Sequence, residues 1–334
     1  MLRVTYEELH DVLRRALLDL GFEPERAALC ARLFADTDRD GVYSHGLNRF
    51  PRFVRMIRRG VVDAHARPAL VTSHGALERW EGRRGPGNLN AHLSTERAME
   101  LARAHGLGCV ALAGTNHWMR GGSYGWQAAE AGAAAVCWTN TLPNLPPWGA
   151  TEARLGNNPL VVAVPRAGGE HVVLDMAMSQ FSYGALESYR ARGELLPVPG
   201  GYDSRGRLTR DPAAIEHSGR PLPIGFWKGS GLALVLDMLA ALLSGGRATH
   251  EVAPDPDEEY SVSQVFLACD PDTLGGSRIA DDIIRHLQAP SPRGETVRYP
   301  GEHTLQTRRR NMAEGIPVDP RVWHQLLEGL RTED

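Results

Sequence analysis

A mixed α/β fold, with helices at both chain ends and a sheet built from the middle, is what this sequence predicts. Three observations carry that reading. Apolar residues recur at helical spacing over the first sixty positions, short β-type runs alternate with helical segments from about Leu77 onward, and a helical pattern returns after Asp319. With 334 residues, 42% hydrophobic and 23% charged, the chain has enough apolar content for a substantial core, organised as one large or two interleaved domains.

Thr5 and Glu8 form a capping box ahead of Leu9, Val12, Leu13, Ala16 and Leu17, and Gly21 ends that first helix. Pro24 opens a second helix carried by Ala28, Leu29, Leu33 and Phe34. Ser44 to Arg59 reads as a third, broken or kinked at Pro51. Leu77 to Trp80 reads as a strand, Leu89 to Ala104 as a helix and Gly108 to Leu112 as a strand. Further strands are predicted at Ala135–Thr139, Leu160–Val164, Val172–Leu174 and Val262–Ala268, with a hairpin at Gly168-Gly169. Helices at Gly125–Ala131 and Leu232–Leu243 would cover the sheet, and Arg190–Pro223, rich in Gly and Pro, reads as a surface excursion or active-site flap. Asp319 caps a last helix that starts at Pro320 and runs through Val322, Leu326 and Leu327. The expected division is a helical domain of residues 1–75 completed by 295–334, and an α/β domain of 76–294.

A net charge of −3 without a basic stripe argues against a nucleic-acid partner. Cys30, Cys109, Cys137 and Cys269 are scattered, which suggests reduced thiols. The most apolar run, Leu232–Leu243, contains Asp237 and is too short to span a bilayer, and no export signal opens the chain, so a cytoplasmic protein is expected. Neither a Walker A motif, nor Gly-x-Ser-x-Gly, nor paired metal-ligand histidines occur, and Gly85-Pro86-Gly87 lacks the third glycine of a Rossmann fingerprint. A metal-free mechanism on another fold is expected.

Residues 43–52, Tyr-Ser-His-Gly-Leu-Asn-Arg-Phe-Pro-Arg, hold the densest chemistry. On a helix His45, Arg49 and Arg52 would share a face, and imidazole for proton donation beside guanidinium for a carboxylate suits a 2-oxo acid. A capping histidine with two solvated arginines is the bland alternative. His117, after the strand Gly108–Leu112, is placed to polarise a carbonyl or bind a hydroxyl, or simply to bond a turn. Lys228 is the only lysine among 37 basic residues, and Lys228-Gly229-Ser230-Gly231 before an apolar helix would aim an ammonium and helix amides at a phosphate. Asp175, at a strand end, would meet a ribose hydroxyl or orient a histidine, or serve as an ordinary cap.

These residues resemble the malate/L-lactate dehydrogenase type 2 family, closest to its branch of 2,3-diketo-L-gulonate reductases. The resemblance runs through Gly41-Val42-Tyr43-Ser44-His45-Gly46, Asn48 to Arg52, Asn116 to Gln127, Cys137-Trp138-Thr139-Asn140, Pro146 to Ala150, Gly156 with Asn158-Pro159-Leu160, Asp175-Met176 with Met178-Ser179, and Trp227 to Gly231. It implies a homodimer with a non-Rossmann nicotinamide-binding fold and His45 as proton donor. The mechanism expected on these residues puts Ser44, Arg49, Arg52, His117 and Thr139 at the substrate, with Asp175 orienting His45. Cofactor contacts would fall on His171, Val172, Val173, Leu174, Asp175, Met176 and Ala177, on Trp227 and Lys228, and on Gly301, Glu302 and His303, where Glu302 and His303 stand in reversed order. The loop Thr141–Leu145 also departs from the family pattern, which bears on substrate. The resulting expectation is reduction of 2,3-diketo-L-gulonate with NADH, NADPH being the other option. Malate, lactate, sulfolactate, ureidoglycolate or a cyclic imino acid are the alternative substrates, and an acid-sugar binding protein is the alternative outside catalysis.

Overall fold

The computed structural model describes residues 2–271, 279–290 and 297–331. After β1 (Leu2–Val4) comes α1 (Tyr6–Asp19), opened by the predicted capping box, in which Thr5 accepts the Glu8 N–H and the Glu8 carboxylate accepts the Thr5 N–H. A cap of this kind contributes about 1 kcal/mol. α2 (Pro24–Arg39) follows, then a turn over residues 40–46, a 3-10 segment at Leu47–Arg49, and α3 (Phe50–Arg58). The single helix expected over 44–59 is therefore three pieces. Pro51 lies in the first turn of α3, where its missing N–H costs nothing, so it starts a helix instead of kinking one.

β2 (Ala69–His74) and β3 (Leu77–Glu81) pair as a hairpin. β2 escapes sequence reading because it is largely exposed and carries Thr72, Ser73 and His74 without an apolar face. The sheet thus begins at Ala69, ahead of the boundary expected at 75/76, while the boundary expected at 294/295 lies outside the described residues. Next come α4 (Gly87–His105), β4 (Leu107–Asn116), α5 (Gly122–Glu130), β5 (Ala134–Thr139), β6 (Leu160–Val164) and β7 (Val172–Met176). Gly168 and Gly169, with φ of 74° and 78°, make the turn between β6 and β7. The stretch expected to be an irregular excursion contains the end of α6 (Tyr183–Arg192), then β8 (Gly201–Tyr202), β9 (Leu208–Thr209) and α7 (Pro212–Ser218), gathered on a small core of Leu186, Leu196 and Ile215. The chain continues through α8 (Trp227–Ser244), β10 (Tyr260–Cys269), α9 (Ile279–Leu287), α10 (Glu302–Glu314), β11 (Ile316–Val318) and α11 (Pro320–Arg331).

Seven strands form one sheet in the order β2-β3-β4-β10-β5-β6-β7, antiparallel at every junction except the parallel pair β3–β4. A Rossmann unit requires a parallel, doubly wound sheet, so this is another architecture. Alternation along the strands feeds two cores: Val110, Leu112, Phe266 and Ala268 pack with α4 and α5, and Cys109, Ala111 and Val265 pack with α8. A third core joins the chain ends. β1 pairs with β11, and Val4, Leu9, Phe34, Phe50, Ile316 and Trp323 share one buried cluster.

α8 starts at Trp227, earlier than expected, and is long and apolar enough by length and composition alone to cross a bilayer. In the fold it lies on the sheet. Trp138 Nε1 donates to the Leu236 carbonyl (3.1 Å), and the Asp237 carboxylate accepts from Asn140 Nδ2 and Thr249 N–H, both at 2.9 Å.

Candidate active site

The turn that carries Ser44 and His45 is held from below by Asp38. This carboxylate accepts the Leu47 N–H at 2.6 Å and lies so close to Gly46 that a side chain there would sit 2.2 Å from it. From α10, Asn311 Nδ2 donates to the carbonyls of Asp38 (3.3 Å) and Arg39 (2.9 Å) and reaches the Tyr43 hydroxyl (3.1 Å). α6 closes against the same turn, since a side chain on Gly184 would fall 2.6 Å from Ser44 Oγ. Ser44 Oγ is 2.8 Å from His45 Nδ1. His45, Arg49 and Arg52 therefore lie on three consecutive local structures and not on one helical face.

His117 approaches from the end of β4. Asn116 Nδ2 donates to the carbonyls of Arg84 (2.7 Å) and Gly85 (3.0 Å), and Gly87 lets α4 pack against the 116–117 backbone, where a side chain would be 2.2 Å from the Asn116 oxygen. The Met119 N–H, from a residue at φ 63°, donates to His117 Nδ1 at 3.0 Å. A ring nitrogen that accepts carries no proton, so His117 is neutral with its N–H on Nε2. The His45 and His117 rings stack, with centroids 5.9 Å apart and planes at 25°.

Arg49 forms a loose ion pair with Glu259 at 3.8 Å, and Arg52 pairs with Asp257 at 3.1 Å. Burial, followed by the Arg49 and Arg120 charges, lowers the His45 pKa to about 4, and burial with Arg49 and His45 drives His117 well below the ordinary histidine range. Burial also brings Arg49 down to about 10 and pushes Glu259 up, against the pull of Arg49. The two histidines set a pH dependence of stability. Between the unfolded value near 6.5 and the folded value near 4, His45 is neutral when folded and protonated when unfolded, so the unfolded chain binds more protons and stability falls as pH drops through that window. His117 acts in the same direction. Melting temperatures from pH 7.5 to 4.5 should therefore decline less steeply for His117→Gln, which keeps an acceptor for Met119, than for the parent. Equal slopes would contradict the neutral, buried assignment.

The three expected cofactor segments converge at the sheet edge. β7 is the terminal strand, and the Val173 N–H donates to the Pro300 carbonyl at 3.0 Å. Gly301, at φ 99°, packs so closely that a side chain would be 3.0 Å from Val173 N. The approach to α8 joins the same edge through the Ile224 N–H, which donates to the Met178 carbonyl at 2.8 Å. Asp175 is exposed at this edge, as are Trp227, Lys228 and His303, whereas His171 is buried with its Nδ1 accepting the Arg166 N–H. A carboxylate with one oxygen on the Gly122 N–H and an exposed lysine fit the hydroxyl and phosphate groups of a dinucleotide.

Three expectations need correction. Lys228 does not precede a helix with free amides. It lies within the first turn of α8, where the N–H groups of Lys228 and Gly229 already donate to the carbonyls of Gly225 (3.2 Å) and Ile224 (2.8 Å), so these amides are not free for a phosphate. Thr139 is buried, and its hydroxyl is engaged by the carbonyls of Asn140 (2.8 Å) and Ser263 (3.2 Å), so the backbone around the sheet uses it. Asp175 accepts the Gly122 N–H at 2.8 Å, and the neighbour of His45 Nδ1 is Ser44. Sequence reasoning also missed Asp38, Asp40, Asp257 and Glu259. Asp38 and Asp40 left a signal, because carboxylates at a helix C-terminus oppose the helix dipole and need another reason to be there.

Paired imidazoles lie near a half-buried guanidinium. The chain belongs to the malate/L-lactate dehydrogenase family, whose model matches residues 4–327. It is an oxidoreductase acting on CH–OH and oxo groups, and the family implies a nicotinamide cofactor. Curated relatives include proteins named 2,3-diketo-L-gulonate reductase from Citrobacter koseri, 46% identical over 97% of this chain and 99% of that protein, and from Shigella boydii, 45% identical over the same shares. Among solved structures, sulfolactate dehydrogenase from Methanocaldococcus jannaschii superposes with a TM-score of 0.91 at 27% identity, covering 99% of this chain and 97% of that one. The delta1-piperideine-2-carboxylate reductase of Pseudomonas syringae gives 0.88 at 31% identity, covering 98% and 99%.

Proposed function

We propose that this protein reduces the C2 oxo group of 2,3-diketo-L-gulonate to give 3-dehydro-L-gulonate, using NADH. The observation that carries this reading is the placement of His45, Arg49 and His117 together, with Asp175 on the terminal strand β7. The names of the relatives at 45–46% identity support the choice of substrate. The bound dinucleotide supplies the hydride. His45 Nε2 gives the proton to the developing alkoxide, while Ser44 Oγ accepts Nδ1–H and fixes the tautomer that remains. Arg49 holds the substrate carboxylate by its planar fork, and that anion offsets the charge which otherwise keeps His45 neutral, so the oxo acid loads its own proton donor. His117 Nε2–H donates to a neighbouring oxygen. Arg52 sits behind, paired with Asp257.

A carboxylate at Asp175 would repel a 2′-phosphate, which favours NADH over NADPH. The exposed row Leu234, Val235, Met238 and Leu242 on α8 supports a homodimer, and four free cysteines among the described residues support a reducing, cytoplasmic setting. Loss of NADH or NADPH absorbance against 2,3-diketo-L-gulonate, oxaloacetate, pyruvate, sulfopyruvate and a cyclic imino acid tests the reading. The highest kcat/KM is expected for 2,3-diketo-L-gulonate with NADH. A better competitor would displace the substrate, and ligand binding without turnover would make the cleft a sensor.

A further inference from the structure

One helix, α10, meets both halves of the proposed site. At its start Gly301 packs where a side chain would be 3.0 Å from Val173 N and 3.1 Å from the His171 carbonyl, and Pro300 just before it accepts the Val173 N–H at 3.0 Å. Two to three turns further on, the same helix grips the segment that leads into His45. A side chain on Gly41, at φ 86°, would fall 2.7 Å from the Thr307 methyl carbon. Arg308 donates from Nε and Nη2 to the two oxygens of Asp40 at 2.7 and 2.8 Å. Asn311 Nδ2 holds the Asp38 and Arg39 carbonyls and the Tyr43 hydroxyl. Asp40, Thr307 and Asn311 are buried, so water does not compete for these contacts. From this segment the chain reaches the catalytic groups through short turns: the His45 N–H donates to the Val42 carbonyl at 3.0 Å, and the Arg49 N–H to the Gly46 carbonyl at 2.9 Å.

We propose that α10 is the spacer that fixes the distance between the cofactor edge and the His45 turn, with Asn311 and Arg308 as positioning residues for the reduction. The inference rests on the reading of His45 as proton donor and of β7 and Gly301 as cofactor segments. The turn over residues 40–46 has no helix or strand of its own to hold it, whereas a helix keeps a constant rise, about 15 Å over the ten residues from Gly301 to Asn311. Hydride donor and proton donor must meet the same carbonyl, and a misplacement of about 1 Å can cost about a hundredfold in rate. Asn311 and Arg308 act on that alignment through the backbone of residues 38–43 and the Asp40 carboxylate.

The test is backbone hydrogen exchange of the full-length protein without ligand, followed by turnover. Asn311→Leu keeps the volume and removes the donor, so amides of residues 42–49 should exchange about tenfold faster than in the parent while those of β6 and β7 keep parental rates. Equal acceleration in both regions would mean lowered global stability alone and would overturn the proposal, as would a folded variant with parental protection at 42–49. In turnover Asn311→Leu should lower kcat about tenfold, leave the NADH dissociation constant within about twofold, and raise the kinetic isotope effect on the transferred hydrogen, because misalignment slows hydride transfer itself. An unchanged isotope effect and kcat would remove the positioning role. Arg308→Lys keeps the charge on Asp40 and loses the fork, so it should give the same signature in weaker form, and it decides the question should Asn311→Leu fail to fold. A parent that consumes no NADH would sink the proposed reaction and leave the exchange test of α10 standing.

Discussion

Replacing His45 by alanine is expected to lower kcat for oxo-acid reduction by about a hundred- to ten-thousand-fold, the usual range for a lost general acid. The cofactor dissociation constant should stay within about twofold, because the segments proposed for the dinucleotide lie on β7, at the start of α8 and at Gly301, none of which His45 supports. His45→Gln should be nearly as slow, since an amide fills the space without delivering a proton. The pH profile gives the direction. In the free enzyme His45 titrates near 4, so reduction near neutral pH depends on the substrate carboxylate raising that value, and kcat/KM should increase as pH falls from 8 toward 6. An alanine variant with parental turnover would remove His45 from the chemistry.

Arg49→Ala carries the second large effect. A charge-assisted bidentate contact contributes about 1.5–3 kcal/mol, which corresponds to a rise in KM for the oxo acid of about ten- to a hundred-and-fifty-fold. Arg49→Lys should fall between parent and alanine, because it keeps the charge and loses the fork. Glu259 makes the site permissive. At 3.8 Å its pairing with Arg49 is too long for a hydrogen bond, so the guanidinium is oriented yet retains donors for an incoming carboxylate. Binding measured by calorimetry separates the two roles: Arg49→Ala should weaken a non-reactive oxo acid and spare the dinucleotide, and equal affinities for the oxo acid in parent and variant would show that the carboxylate binds elsewhere.

Much of this fold was legible from local rules. The capping box at Thr5, the apolar stripe of α1, the Gly168-Gly169 turn and Pro320 at the start of α11 are short-range signals, and the structure places them as expected. Long-range features were not legible in the same way. Nothing local reports that β10, far along the chain, inserts between β4 and β5, or that α10 returns to tie Asn311 to the His45 turn. The site shows the same division. His45 and Arg49 announced themselves by residue type, but for the wrong geometric reason, since helical spacing was invoked where a turn and a 3-10 segment bring them together. The acids that orient the arginines, Asp257 and Glu259, stand more than two hundred residues away and had no pattern to betray them. Thr139 misled because a strand-end hydroxyl looks the same in sequence whether it faces a ligand or caps its own sheet.

The most direct measurement is a crystal structure of the protein with NADH and a non-reactive 2-oxo acid. The ligand carboxylate is expected on the Arg49 fork, the oxo oxygen within about 3 Å of His45 Nε2, and the nicotinamide between that carbon and β7. A ligand seated away from His45, or a dinucleotide that leaves Asp175 and Lys228 untouched, would contradict this arrangement.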